Sequence, residues 1–143
     1  VVSSTELTGH AREYDGRVVI FEGEVIGEVM ARGEYAWINV KDAVGAIGVW
    51  VPIGMAKSIK YTGTYKVRGD RVSVRGVFNR ACVMHGGDLD IHCLELKDKT
   101  QGQVFDDPIL PEKEKLIYIL LGVMLWLLIL RLLRKKPRPI SAQ

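Results

Sequence analysis

The sequence contains few of the residues on which metal knuckles and covalent catalysis usually depend. Its 143 residues include two cysteines, so it has no repeated Cys-x-x-Cys knuckle of the kind that marks structural zinc sites. No serine lies in a Gly-x-Ser-x-Gly elbow, and the glycine-rich stretches lack the Lys-Ser/Thr of a phosphate loop. We therefore expect no enzyme, no cofactor and no metal.

Excess positive charge is also missing from most of the chain, although the whole chain carries +3. Residues 112–143 hold seven basic and two acidic residues, whereas the first 111 residues hold 13 basic and 15 acidic ones, a net charge of −2. The basic character thus belongs to the C-terminal end. It does not favour nucleic-acid binding by the N-terminal part.

One run has no charged residue at all. Leu116 to Leu130 comprises fifteen apolar residues, and Arg131 follows directly. Extended to Leu133, a helix of this run would be about 27 Å long, close to the ~30 Å thickness of the hydrocarbon core of a bilayer. Residues 116–133 are therefore predicted to form a transmembrane helix, with the lipid bilayer as partner.

The charges on the two sides of this span differ. Residues 134–143 form a basic tail, whereas the segment before the span carries four acidic residues and two lysines. The positive-inside rule then predicts a single span in the cell membrane, with a cytoplasmic C-terminus and an extracytoplasmic N-terminal domain. Because the chain begins at Val1 without methionine, an upstream signal peptide or first membrane helix could precede it.

The remaining chain is predicted to be one domain, residues 1–99, with a linker over residues 100–115. Its apolar residues alternate with a period of two, which is typical of strands. A short helix is expected from Ser3 or Ser4 to Tyr14, and a second within 52–61. The predicted strands are Arg17–Met30, Glu34–Lys41, Ala46–Val51, Gly69–Val77 and Leu89–Leu96.

Five strands, a first strand bent at Gly23 and Gly27, and a helix between the third and fourth strands predict an all-β fold, the five-stranded Greek-key barrel of the OB-fold. The segments YDGRVVIFEGEV, AWINVKD, AIGVW and GDRVSVRGVF resemble the OB-fold group related to tRNA anticodon-binding and helicase-associated domains. The block FNRACVMHGGDLDIH resembles membrane-anchored bacterial OB-fold proteins. The resemblance spans Thr5 to Lys97 and implies the fold, while its motifs specify no ligand.

Strand alternation places several aromatic and polar side chains on the outer face of the predicted hairpin. The candidate ligand-binding face consists of Arg32, Tyr35, Trp37, Asn39, Lys41 and Trp50. Its rings could stack on the bases of a single-stranded nucleic acid, or simply pack as a cross-strand pair. The negative charge and the extracytoplasmic position favour a noncatalytic interaction module for a protein, glycan or envelope component. Single-stranded nucleic-acid binding is the alternative.

A second polar group follows the fourth strand. His85, Asp88, Asp90 and His92 are expected to form a loop tip that shapes a partner surface. Asp90 and His92 lie on one face of a strand, but no nucleophile accompanies them. Cys82 and His85, like His92 and Cys93, should point to opposite faces of regular strands, which argues against a metal site.

The register of the last two strands decides whether Cys82 and Cys93 form a disulfide. A six-residue connection from His85 to Asp90 would place Cys82 opposite Cys93. A two-residue turn at Gly86-Gly87 would place Cys82 opposite Ile91 instead. Because directly opposed cross-strand disulfides are often strained, two buried free thiols are the default expectation.

Overall fold

The elements of the chain follow an order in which short helices precede and interrupt long strands. The computed structural model describes residues 1–105 and 111–133, so the predicted tail at 134–143 and the linker residues 106–110 lie outside the described residues. Two units are distinguished, Val1–Phe105 and Asp106–Gln143. The elements are α1 Ser4–Gly9, α2 Ala11–Tyr14, β1 Val18–Arg32, β2 Tyr35–Lys41, β3 Ala46–Pro52, α3 Ile53–Ala56, β4 Val67–Arg68, β5 Arg71–Cys82, a 3-10 turn Val83–His85, β6 Asp88–Thr100, β7 Gln103–Val104 and α4 Pro111–Leu133.

Five of the strands close into a barrel in the order β1-β2-β3-β6-β5. Strands β3 and β6 run parallel, with Val49 opposite Ile91, and the other neighbours run antiparallel. This is the strand order of an OB-fold, in which closure leaves few exposed edges. The predicted five-stranded OB-fold barrel is confirmed.

The hairpin of β2 and β3 shows why the sequence folds this way. Ala36, Ile38 and Val40 alternate with polar or aromatic residues, and they pair with Val51, Val49 and Ile47 on β3. These six side chains are at most 3% exposed. Burial of each valine or isoleucine stabilises the fold by about 1.5–3 kcal/mol. The hairpin therefore has one face packed into the core and leaves the other for the candidate site.

Strand β1 has a bulge at Gly27, one of the two glycines at which a bend was predicted, whereas Gly23 pairs with Val72 in regular register. Its register with β2 shifts between Ile26 and Met30, and Gly27 has a φ of 72°. A residue with a Cβ adopts this left-handed conformation only with strain. The bulge allows one long strand to pair with β5 through its first half and with β2 through its second half.

Three predicted elements have different bounds in the structure. The helix to Tyr14 is broken at His10, whose φ of −116° ends α1, although the predicted cap is present: the Ser3 hydroxyl accepts a hydrogen bond from the Glu6 amide at 3.2 Å. The helix expected within 52–61 is limited to α3. Strands β5 and β6 run beyond the predicted segments because their pairing continues from Thr100 to Asp88 through three register shifts.

The chain after α3 is held by the buried carboxylate of Asp70. The sequence analysis placed this residue only at the start of a strand. Asp70 is 4% exposed. Its Oδ2 accepts hydrogen bonds from the amides of Lys60 at 2.6 Å and Tyr61 at 3.1 Å, and its Oδ1 accepts one from Gly102 at 2.6 Å. These bonds clamp the chain before β5 to the chain after β6. The short β4–β7 pair beside this clamp was not predicted.

The second unit contains α4. Within it, Lys115–Leu133 is long and apolar enough to cross a membrane by length and composition. Most of its large apolar side chains are exposed. The predicted span at 116–133 therefore lies within a continuous helix, which begins at Pro111 inside the predicted linker.

Candidate functional site

The outer face of β2 and β3 carries a row of aromatic rings. Trp37 lies directly opposite Trp50. Their ring centroids are 6.4 Å apart, and Tyr35 stacks on Trp50 with centroids 5.3 Å apart and an angle of 9° between the planes. Tyr35 is 41% exposed, and the two tryptophans are half-buried. The rings thus pack on one another while part of their surface faces solvent.

A glycine determines how closely the row lies on the sheet. The Trp37 ring covers Gly48, which is diagonal to it across the hairpin, and a Cβ at Gly48 would collide with that ring. Diagonal neighbours on one face of an antiparallel pair are within reach of an aromatic side chain. Gly48 therefore allows Trp37 to lie flat against β3.

An open pocket of about 510 Å³ adjoins these rings. Its lining combines the aromatic row with residues from β1 and from the turn after β5: Met30, Arg32, Trp37, Trp50, Met84, His85 and Asp88. Sequence reasoning missed Met30 and Met84, since neither methionine lies in a motif and the 3-10 turn that presents Met84 was not expected. Asn39 and Lys41 lie further along β2, opposite Gly48 and Ala46, outside this pocket.

Behind the pocket lies a polar cluster. Single ligand-type atoms of Cys82, His85, Asp90 and His92 all lie within 4.8 Å of one another. His85 Nδ1 is hydrogen-bonded to Asp90 Oδ2, and His92 Nε2 lies 3.3 Å from both that oxygen and the Cys82 sulfur. Asp90 is fully buried, and its Oδ1 accepts a hydrogen bond from the Asn79 amide at 2.8 Å.

The expectation that strand alternation would keep these residues apart is wrong for this cluster. The register of β5 and β6 shifts between Asn79 and Cys82, and the chain then turns through Val83–His85 into Gly86, which has a φ of 71°. The bulge and the turn direct Cys82 and His85 toward Asp90 and His92. Asp88 remains outside the cluster and lines the pocket, so the predicted loop tip divides into two environments.

The proposed disulfide does not form in this register. Cys82 lies opposite Asp88, whereas Cys93 lies opposite Gly76 and packs into the core, so neither of the two predicted registers is observed and the two cysteines are not paired. Both thiols are free. Burial raises the pKa of Cys93 to about 11, and burial together with the contact to Asp90 raises the pKa of Cys82. Within β6, His92 and Cys93 do point to opposite faces.

His85 joins the polar cluster to the aromatic row. Its ring centroid lies 5.1 Å from Trp37 and 4.7 Å from Trp50, and 5.3 Å from the ring of His92. Such distances are typical of packed aromatic pairs. Any change in the position of His85 would therefore change the packing of both tryptophans.

Known proteins support the fold. No family model matches the chain, and no curated protein matches it. Two crystal structures of asparaginyl-tRNA synthetase from Pyrococcus horikoshii, one complexed with asparaginyl-adenylate, match with a TM-score of 0.54 and 22% identity over 78% of this chain. A protein assigned as an aspartyl-tRNA synthetase from Leishmania major Friedlin matches with a TM-score of 0.51 and 14% identity over 70% of this chain.

These similarities define the class of the domain and nothing finer. The chain spans about a quarter of the length of the Pyrococcus synthetase, 25% or 26% in the two structures. At such identities the likeness shows the fold alone. Together with the strand order, it confirms the OB-fold resemblance: the chain comprises an OB-fold domain and a helix apolar enough to cross a membrane.

Proposed function

We propose that this chain is a noncatalytic, membrane-anchored OB-fold domain that binds single-stranded nucleic acid across β2 and β3. The observation that carries the proposal is the row formed by Tyr35, Trp50 and Trp37 beside an open pocket. OB-folds that bind single strands stack bases on aromatic side chains at this part of the barrel. The similar solved structures are of enzymes whose names include tRNA, which supports the same class of ligand.

The charges near the row support only a modest electrostatic contribution. Arg32 lines the pocket and Lys41 is exposed at the far end of β2, while Asp88 places a negative charge on the pocket wall. Two phosphate contacts predict a slope of about −1.4 for log affinity against log salt. Affinity should then fall about sevenfold between 50 and 200 mM salt, and stacking should supply most of the rest.

Fluorescence anisotropy of labelled single-stranded DNA and RNA tests this proposal, with the full chain in detergent micelles. Trp37→Ala should weaken binding by about 5- to 150-fold, because one stacked base contributes about 1–3 kcal/mol. Tyr35→Ala should weaken it less, since Tyr35 lies at the end of the row. Duplex DNA should bind more weakly than a single strand because its bases are already stacked.

Tyr65 offers a matched control. It is an aromatic residue of the same unit, 81% exposed and absent from the aromatic row. Tyr65→Ala should leave the affinity unchanged. Equal losses from Tyr65→Ala and Trp37→Ala, or no binding at 50 mM salt, would contradict the proposal.

A protein or glycan ligand is a second candidate for the same face, and the charge balance favours it. Residues 1–105 hold 13 basic and 13 acidic side chains, so this unit has no net positive charge to attract phosphates over a distance. A neutral ligand would bind with little dependence on salt. Aromatic-dependent binding of a glycan array or of an envelope extract, with no single-strand affinity, would favour this candidate.

Membrane anchoring is proposed from α4. The chain should remain with membranes after alkaline carbonate extraction, whereas a chain truncated before Pro111 should be released. The predicted sidedness, with the barrel outside and the C-terminus in the cytoplasm, is tested by adding protease to intact cells. Digestion of the barrel with protection of a C-terminal tag is expected, and the reverse pattern would contradict the orientation.

A further inference from the structure

Asp90 is a fully buried carboxylate that lies against two histidines. Among the ion pairs of residues 1–105 and 111–133, those of Asp90 involve His85 and His92 and no lysine or arginine. An isolated ionised carboxylate is costly to bury, so buried charges in proteins are paired or coordinate metal ions. The remaining neighbour is the Cys82 thiol, which supplies no positive charge. The two histidines and the thiol beside Asp90 are side chains that also bind metal ions in proteins.

Two distances within the cluster, both from His92, match those around a tetrahedral ion. With bonds of about 2.0–2.3 Å to nitrogen, oxygen and sulfur, the ligands of such an ion lie about 3.3–3.6 Å apart. His92 Nε2 lies 3.3 Å from the Cys82 sulfur and 3.3 Å from Asp90 Oδ2. All four donor atoms lie within 4.8 Å of one another.

We propose that Cys82, His85, Asp90 and His92 bind a zinc ion. One thiolate, two imidazoles and one carboxylate are all ligand types that zinc accepts. Four protein ligands fill a tetrahedral shell and leave no position for substrate, so the role of the ion is structural. It would tie the turn Val83–His85 to β6.

Residues outside the site contact two of its proposed ligands, Asp90 and His85. Asn79 donates to the Asp90 oxygen that faces away from the histidines, and so orients the carboxylate. His85 packs against Trp37 and Trp50, so bound zinc would also hold one wall of the pocket in place. The ion would act on ligand binding through the position of His85.

Metal titration of the full chain in detergent, stripped with a chelator and kept reduced, tests the site. We expect uptake of one equivalent of Zn²⁺ in competition with a chromophoric chelator. Co²⁺ should give the visible bands of a tetrahedral ion and a thiolate-to-cobalt charge-transfer band. Zinc should also change tryptophan fluorescence through the contacts of His85.

The second cysteine is a matched control. Cys93 is 7% exposed and Cys82 is 6% exposed, but Cys93 faces the core away from the cluster. Cys82→Ala should abolish the charge-transfer band and weaken zinc binding by more than about 100-fold, the upper range for loss of an outer partner. Cys93→Ala should retain both the band and the affinity.

The wild-type titration decides the matter even if Cys82→Ala fails to fold. Absence of saturable zinc uptake at micromolar concentrations would overturn the proposal. So would cobalt spectra without a thiolate band, or equal affinities of Cys82→Ala and Cys93→Ala, because either result places the metal elsewhere. Failure of nucleic-acid binding would leave this inference unaffected.

Discussion

Two regions of the barrel each bury one aspartate, and they hold it in opposite ways. Asp70 is 4% exposed and accepts its hydrogen bonds from three backbone amides. Asp90 is 0% exposed and is surrounded by the side chains of Asn79, His85 and His92. The backbone amides around Asp70 are fixed hydrogen-bond donors, so this carboxylate serves as a structural clamp. The side chains around Asp90 can also bind a metal ion, so this carboxylate belongs to the proposed zinc site.

The largest effect expected from this comparison is the loss of the clamp. Asp70→Asn should lower the free energy of unfolding by about 2–3 kcal/mol, because the amide can accept hydrogen bonds at one end only and would turn its NH₂ toward a backbone donor at the other. Urea unfolding of the full chain in detergent, followed by tryptophan fluorescence, measures the loss. Asp98→Asn, at an exposed position of β6, is the control and should change stability by less than about 0.5 kcal/mol.

Zinc binding tests whether the Asp70 clamp and the Asp90 cluster are independent of each other. A saturating ion should stabilise Asp70→Asn as much as it stabilises the wild type, by about 2.7 kcal/mol at one hundred times the dissociation constant. Unequal stabilisation would mean that the two regions are coupled.

Loss of the Asn79 hydrogen bond to Asp90 should have a smaller effect than loss of the clamp, and the effect should be seen in the affinity for zinc. Asn79→Ala removes the hydrogen bond that orients the carboxylate, and should weaken zinc binding by about 10- to 100-fold. Competition with a chromophoric chelator measures the change. If Asn79→Ala leaves zinc affinity intact, the hydrogen bond from Asn79 does not orient a metal ligand, and this part of the contrast between the two aspartates is contradicted.

The pH dependence of the clamp is the smallest expected effect. Burial opposes ionisation of Asp70, but hydrogen bonds from the amides of Gly102, Tyr61 and Lys60 outweigh it and hold the pKa of Asp70 below its usual range. Its charge therefore stabilises the fold above the unfolded-state pKa near 4, and this stabilisation is lost as the pH falls through the folded-state value. The stability difference between wild type and Asp70→Asn should narrow below about pH 4. A constant difference across this range in urea titrations would contradict the assignment.

Much of the barrel was predictable because its strands follow simple local rules. Period-two alternation identified the hairpin of β2 and β3, including the outward Tyr35, Trp37 and Trp50. The presence of glycine within the strand predicted the bend of β1 at Gly27. The length of β5 and the β4–β7 pair were missed, since each depends on contacts with residues distant in the chain. The break at His10 was missed as well.

The candidate site was only half predictable for the same reason. Arg32, Trp37, Trp50, His85 and Asp88 were recognised as residues of interest, and the structure brings them to one pocket. The cluster behind the pocket was misjudged, because regular alternation was assumed where β5 has a bulge and a 3-10 turn follows. Two glycines in HGGD were the local signal that a regular hairpin would not form there.

The all-β class, the alternation that builds the core and the apolar segment of α4 could be predicted from the order of residues alone, because they depend on patterns repeated over many neighbouring residues. That Cys82 lies beside His92 and Cys93 lies in the core became evident only from the folded structure. A shift of one residue in register moves a side chain to the opposite face of a sheet. Such a shift results from the pairing of whole strands, and no local pattern specifies it.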